Sequence, residues 1–188
     1  MKTLFRILGT AAAVAVTGAA IVALDKILNQ KDPLHVEEVE FPEEAEKDAE
    51  EAEKTAEAYR AVMSFDSYDE VKYDGNRGEI GKVYKTNNGD WIVEANVSGS
   101  QGMITVAVGV NADLSCNGIS IIASSETSGL GSKAGNAEFK DQFVGLTADQ
   151  AKVTKDGGQI NAITGATITS RAVCTAVGAA IDAVSTLG

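Results

Sequence analysis

The stretch from Ile7 to Leu24, ILGTAAAVAVTGAAIVAL, carries no charge, and it constrains this chain more than any other feature. As a helix rising about 1.5 Å per residue, it would reach roughly 27 Å, close to the hydrocarbon thickness of a bilayer. It is apolar on every face, so a soluble core helix with a polar side describes it poorly. Lys2 and Arg6 precede it, while Asp25, Lys26 and a long acidic stretch follow. The positive-inside rule then places the amino end in the cytoplasm and the remainder outside. The competing reading is a cleaved secretory signal, with Lys2 and Arg6 as its basic region and Gly18-Ala19-Ala20 as a cleavage site. The length of the run favours a membrane anchor, expected over residues 1–28.

Charge is segregated just beyond it. Residues 32–57 hold 12 of the 27 acidic residues against two lysines, Lys47 and Lys54, so nearly all of the net charge of −11 sits there. After Pro42 the run EEAEKDAEEAEKTAEAYRAVMSF has strong helix formers and no breaker. Ala45, Ala49, Ala52, Ala56, Tyr59 and Val62 make one weakly apolar stripe at spacings of three and four. Residues 29–64 are therefore expected to form an acidic helical linker facing water. No basic patch exists to neutralise phosphates, which argues against nucleic-acid binding. One histidine, His35, and two cysteines, Cys116 and Cys174, are too few for a zinc or iron–sulfur site within the chain.

From residue 65 the period changes. Ile80 to Thr86 alternates, Asn87-Asn88-Gly89-Asp90 signals a hairpin turn, and Trp91 to Val97 reads as a second strand. Gly99-Ser100-Gln101-Gly102 breaks the chain before a strand at Met103 to Val110, and Gly118 to Ser124 makes a fourth. A short helix is expected at about Ala137 to Val144. A longer one, about Ser170 to Leu187, carries Val173, Val177, Ile181 and Val184 on one face. An antiparallel meander followed by helices is an α+β domain over residues 65–188, large enough for one hydrophobic centre.

Ahead of the last helix lies Asn161-Ala-Ile-Thr164-Gly165-Ala166-Thr167-Ile168-Thr169-Ser170. Gly165 and Ala166 allow close backbone approach, the threonines and Ser170 supply hydroxyls, and a following helix end presents unpaired N–H groups. That set suits a phosphate. It equally suits a self-sufficient helix cap, in which Thr169 or Ser170 satisfies its own helix and no ligand is involved.

ITGATITSRAV resembles the [ST]GAT signature of the FMN-binding domain family. This domain occurs in the G subunit of the Rnf complex, the membrane-bound ion-translocating ferredoxin:NAD oxidoreductase, and in the C subunit of the sodium-pumping NADH:quinone reductase. Glu126-Thr127-Ser128-Gly129-Leu130-Gly131-Ser132-Lys133 is similar to the family's ETPGLG loop, and Phe139 to Phe143 supplies FxxQF. The resemblance implies an N-terminal transmembrane helix, an acidic linker helix and an FMN-binding domain. It implies FMN held covalently by a phosphodiester to Thr167, made by a flavin transferase. Thr164, Gly165, Ala166 and Thr169 would complete the signature. Glu126, Thr127 and the Gly129–Gly131 backbone would meet the polar edge of the ring, and Leu130 its apolar face. The implied role is an electron-transfer component on the outer face of the cell membrane, working with the A, B, C, D and E subunits of the Rnf complex. A component like the C subunit of the quinone-reducing pump, a stand-alone anchored flavin domain and a flavin-free binding module are the alternatives. Two positions depart from the pattern: Ser128 stands where the family has Pro, and Asn161 where the transferase usually meets Asp. Lys133 is expected at the surface, His35 in solvent, and both cysteines as free thiols.

Overall fold

The computed structural model describes residues 43–126 and 131–187. The expected anchor, the first part of the linker and Thr127, Ser128, Gly129 and Leu130 lie outside those residues. Helix α1 (Glu43–Val62) leads into strands β1 (Tyr68–Val71), β2 (Ile80–Thr86), β3 (Trp91–Ser98), β4 (Met103–Val110) and β5 (Cys116–Ser124). A short helix α2 (Ala137–Lys140) is flanked by 3₁₀ turns at Gly131–Gly135 and Asp141–Phe143. A further 3₁₀ turn, Thr154–Asp156, precedes helix α3 (Thr167–Ser185).

The five strands form one antiparallel sheet in chain order, the meander that the turn signals predict. Four strands fall where the alternation places them. β1 is the addition. Its YDEV shows no buried alternation, and it is held instead by Asn87 in the next turn. The Asn87 side-chain oxygen accepts the N–H groups of Asp66 and Ser67 at 3.0 and 3.2 Å. Gly89, at φ +89°, closes that same turn, a conformation glycine adopts without steric cost.

Both faces of the sheet are covered. On one, Val83, Trp91, Val93, Val106 and Val108 pack with Phe139, Phe143, Val173, Val177, Ile181 and Val184 in a single core. The expected stripe on α3 is therefore its buried face. On the other face, Ile92, Tyr84 and Ala107 meet Ala58, Tyr59, Val62 and Met63. Here the expectation of a wholly solvated linker helix divides. Glu50 to Lys54 face water, whereas the last two turns of α1 are buried, because Tyr59, Val62 and Met63 bring the large apolar groups that the alanines before them lack. Gly109 and Gly118 make that approach possible. A Cβ on either would stand 2.9 or 3.2 Å from the Val62 carbonyl oxygen. The Tyr59 hydroxyl donates to the Glu94 carboxylate, and burial first, then that bond, drives its pKa well above the ordinary phenol value.

Helix α3 is long and apolar enough to cross a membrane, yet two thirds of it is buried in this domain. Its apolarity is spent on the sheet.

Candidate functional site

The signature folds into a turn and the first turn of α3, which begins at Thr167 rather than at Ser170. Ala166 N–H donates to Ile163 O at 2.9 Å, closing a β-turn whose third residue, Gly165, has φ +79°. Ser170 N–H donates to Ala166 O at 2.9 Å, which makes Ala166 the N-cap residue. An alanine cap has no side-chain oxygen, and neither Thr169 nor Ser170 caps the helix. Ser170, fully buried, ties the loop from inside instead. Its Oγ accepts Ile163 N–H at 3.0 Å and donates to Ala166 O at 2.9 Å. Among the described residues, the N–H groups of Thr167, Ile168 and Thr169 have no acceptor. The helix end thus offers a positive dipole terminus with three donors beside a half-buried Thr167. Thr164 is exposed on the turn.

Thr169 points elsewhere. Completely buried, it donates from Oγ1 to Glu126 Oε2 at 2.7 Å. The other carboxylate oxygen accepts Gln101 N–H at 2.9 Å. One glutamate thus joins the end of β5, the β3–β4 hairpin and α3. Desolvation raises the Glu126 pKa, but the hydrogen bonds from Gln101, Thr169, Ser100 and Gly102 together outweigh it and hold the carboxyl below its ordinary value. Gly99 leaves room for this. A Cβ there would collide with Glu126 Oε1 and stand 2.7 Å from Ile104 Cδ1. Two of the large apolar side chains left in solvent, Met103 and Ile168, belong to these same elements.

The rest of the loop is braced by FxxQF. Phe139 and Phe143 pack edge to face in the core, with centroids 5.4 Å apart. Their neighbour Gln142 accepts the Asn161 N–H at 2.7 Å through Oε1. Arg171, on the outer side of α3, forms a two-pronged ion pair with Asp156 at 2.7 and 2.8 Å, clamping the Thr154–Asp156 turn to the helix. Arg171 first by hydrogen bond, then by charge, lowers the Asp156 pKa. Both clamps are exposed or half-exposed, so solvent screens them and each adds little.

Two clefts of about 410 and 390 Å³ lie farther along α3, one lined by Asn96, Ser98, Ala172 and Thr175, the other by Lys152, Asp156, Arg171 and Cys174. Neither contains Thr167 or Glu126. Of the expected site residues, the structure gathers Thr164, Gly165, Ala166, Thr167, Thr169 and Glu126 at one end of the domain. Gly131 opens a 3₁₀ turn, while Thr127, Gly129 and Leu130 lie outside the described residues. Lys133 is exposed, and Cys116 and Cys174 are free and buried. Gln101 and Gly99 were not legible as site residues, and Ser170, expected as a phosphate-side hydroxyl or a cap, braces the loop instead. For Ser170 the signal was a hydroxyl on the apolar face of a helix.

A glycine turn feeding an uncapped helix end, with a hydroxyl at its first position, is an arrangement whose chemistry suits a phosphate. Residues 99–182 match the model of the FMN-binding domain family. The chain is 45% identical over 96 residues to the G subunit of the ion-translocating oxidoreductase complex of Methanosarcina acetivorans, covering 50% of this chain and 51% of that one. It is 45% identical over 91 residues to the G subunit of the Na⁺-translocating ferredoxin:NAD⁺ oxidoreductase complex of Acetobacterium woodii, covering 45% and 44%. A proton-translocating counterpart from Clostridium ljungdahlii is 39% identical over 99 residues, covering 51% and 54%. The chain spans about half the length of the curated relatives it matches.

Proposed function

We propose that this chain is the G subunit of an Rnf-type ion-translocating ferredoxin:NAD oxidoreductase, an electron-transfer component anchored by residues 1–28 with its flavin domain outside the cell membrane. The observation that carries the reading is the placement of Thr167. It opens an uncapped α3 inside the matched domain, where its hydroxyl can be esterified while three backbone donors face the same phosphate. Bound FMN supplies one- and two-electron chemistry, and the protein supplies position and environment. The Thr167 hydroxyl would be esterified to the FMN phosphate, which the first-turn N–H groups of α3 would hold. A flavin transferase performs that step. The A, B, C, D and E subunits of the complex are the partners in electron transfer. The matched relatives are named as G subunits, which favours this reading over a component like the C subunit of the quinone-reducing pump. Those relatives are named for sodium in one case and for protons in another, so likeness assigns no ion to this chain.

The test is the intact mass and colour of the purified, denatured chain from a host holding the transferase. One covalent FMN is expected, and Thr167→Ala should be colourless and unmodified. An unmodified wild-type chain, or a modified Thr167→Ala chain, overturns the assignment.

A further inference from the structure

We propose that Glu126 is a positioning residue: its carboxylate is a latch that fixes the first turn of α3, and with it the Thr167 hydroxyl, before any flavin is attached. The inference rests on the reading of Thr167 as acceptor and adds to it how the acceptor is held. The resemblance alone places Glu126 against the flavin ring. The geometry places it between protein groups.

Three elements far apart in sequence meet at this carboxylate. Oε2 takes the hydroxyl of Thr169, which is fully buried and two residues beyond Thr167, at 2.7 Å. Oε1 takes the N–H of Gln101 in the β3–β4 hairpin at 2.9 Å. The hairpin is tight, with Gly99 N–H donating to Gly102 O at 2.7 Å. A Cβ on Gly99 would meet the carboxylate, and one on Gly102 would stand 2.6 Å from Ser125 Cβ. The backbone is thus shaped around the glutamate. Glu126 is itself oriented from behind, its N–H donating to Ser124 Oγ at 3.2 Å and the neighbouring Ser125 N–H donating to Met103 O at 3.0 Å.

The need for such a latch follows from the missing cap. A helix that starts at Ala166 without a side-chain cap is prone to fray over its first turn, and Thr167 is its first residue. Ser170 braces the loop side of that turn and Glu126 the hairpin side, leaving the end of the helix open. A negative group there also complements the helix dipole. Attack by a hydroxyl on phosphorus depends steeply on placement, and an error of about 1 Å can cost roughly a hundredfold in rate. In that step the Oγ–P bond forms, the pyrophosphate bond of a flavin dinucleotide breaks, and the nucleoside monophosphate departs with the Thr167 Oγ–H proton. Glu126 exchanges no proton or electron in it.

The experiment uses the full chain, unmodified, from a host lacking the transferase. Hydrogen exchange is read at the Ser170 amide, held by Ala166 O, and at the amides of residues 171–173 that bond back to the first turn, and transferase kinetics are then measured with a flavin dinucleotide as donor. Glu126→Ala and Thr169→Val should each raise exchange in this turn by about tenfold. They should lower kcat for modification by about tenfold or more while KM stays within about twofold. Thr169→Ser, which keeps the donated hydroxyl, should restore both, and Glu126→Gln, which keeps one oxygen for Gln101 N–H and turns its amide N–H to the Thr169 hydroxyl oxygen, should restore most of both. If Glu126→Ala fails to fold, the Thr169 pair decides by the same readouts. Unchanged exchange in Thr169→Val, or a loss in Glu126→Gln as deep as in Glu126→Ala, overturns the latch. If the wild-type chain is not modified at Thr167, the acceptor reading falls, and the exchange data still decide whether the turn is latched.

Discussion

At the scale of single residues, this domain keeps its chemistry at one end and its inert groups deep in the core. Cys116 and Cys174 are both buried, and desolvation first of all pushes each thiol up to about 12. A thiol with a raised folded-state value favours the fold below its unfolded value, and that contribution is lost as pH climbs from about 9 towards 12. Alkylation of the native chain at neutral pH should therefore be slow, with both cysteines reacting once the chain is unfolded in denaturant. Rapid labelling of either one in the native protein would contradict this burial. Neither thiol is then available as a redox partner for a flavin at Thr167. The carboxyl of Glu126 has the opposite sign: its folded value is lowered, so the latch holds at neutral pH and is lost only as acid protonates it.

At the scale of elements, helix α1 ends as part of the domain although its composition reads as a linker. The sheet face carrying Tyr84, Ile92 and Ala107 is closed by Ala58, Tyr59, Val62 and Met63. Burying three large side chains is worth about 1.5–3 kcal/mol each, so removing them forfeits on the order of 5 kcal/mol, comparable to the stability of a small domain. A fragment beginning at residue 65 should consequently unfold at far lower denaturant than one beginning at residue 43. Tyr59→Phe in the longer fragment should cost about 1 kcal/mol, since it leaves the half-buried Glu94 short of a donor. Equilibrium urea unfolding of the three proteins measures both effects. Equal midpoints for the two fragments would show that α1 merely rests on the sheet.

At the scale of the whole molecule, two apolar segments of similar length call for opposite readings. Helix α3 has 12 buried residues, most of them in the core it shares with the sheet. The run from Ile7 to Leu24 has no polar side to offer such a core, and the proposed membrane attachment rests on it. With Lys2 and Arg6 on its amino side, the proposed anchor predicts that the domain lies outside the cell. Protease added to cells stripped of their wall should then digest the domain, whereas inverted vesicles should protect it. The reverse pattern would place the flavin towards cytoplasmic NADH and ferredoxin, and the outer-face electron-transfer role would have to be abandoned.

The sequence by itself determined what depends on neighbours along the chain. Alternation with turn residues at Asn87–Asp90 and Gly99–Gly102 was enough for four strands and their antiparallel order, and the spacing from Val173 to Val184 was enough for the buried face of α3. The signature around Thr167 was legible because its residues are contiguous. Tertiary structure decided the rest. β1 has no periodicity of its own and is set by Asn87, about twenty residues on. The start of α3 moved three residues towards the signature, since β-branched Thr167, Ile168 and Thr169 are indifferent helix formers locally and their turn is held by contacts from outside. Chief among these is Glu126, 43 residues before Thr169 and 25 after Gln101. No local pattern encodes a carboxylate whose two oxygens are claimed by different elements. That arrangement exists only once the hairpin, the sheet edge and the helix have come together, and it decides where the Thr167 hydroxyl stands.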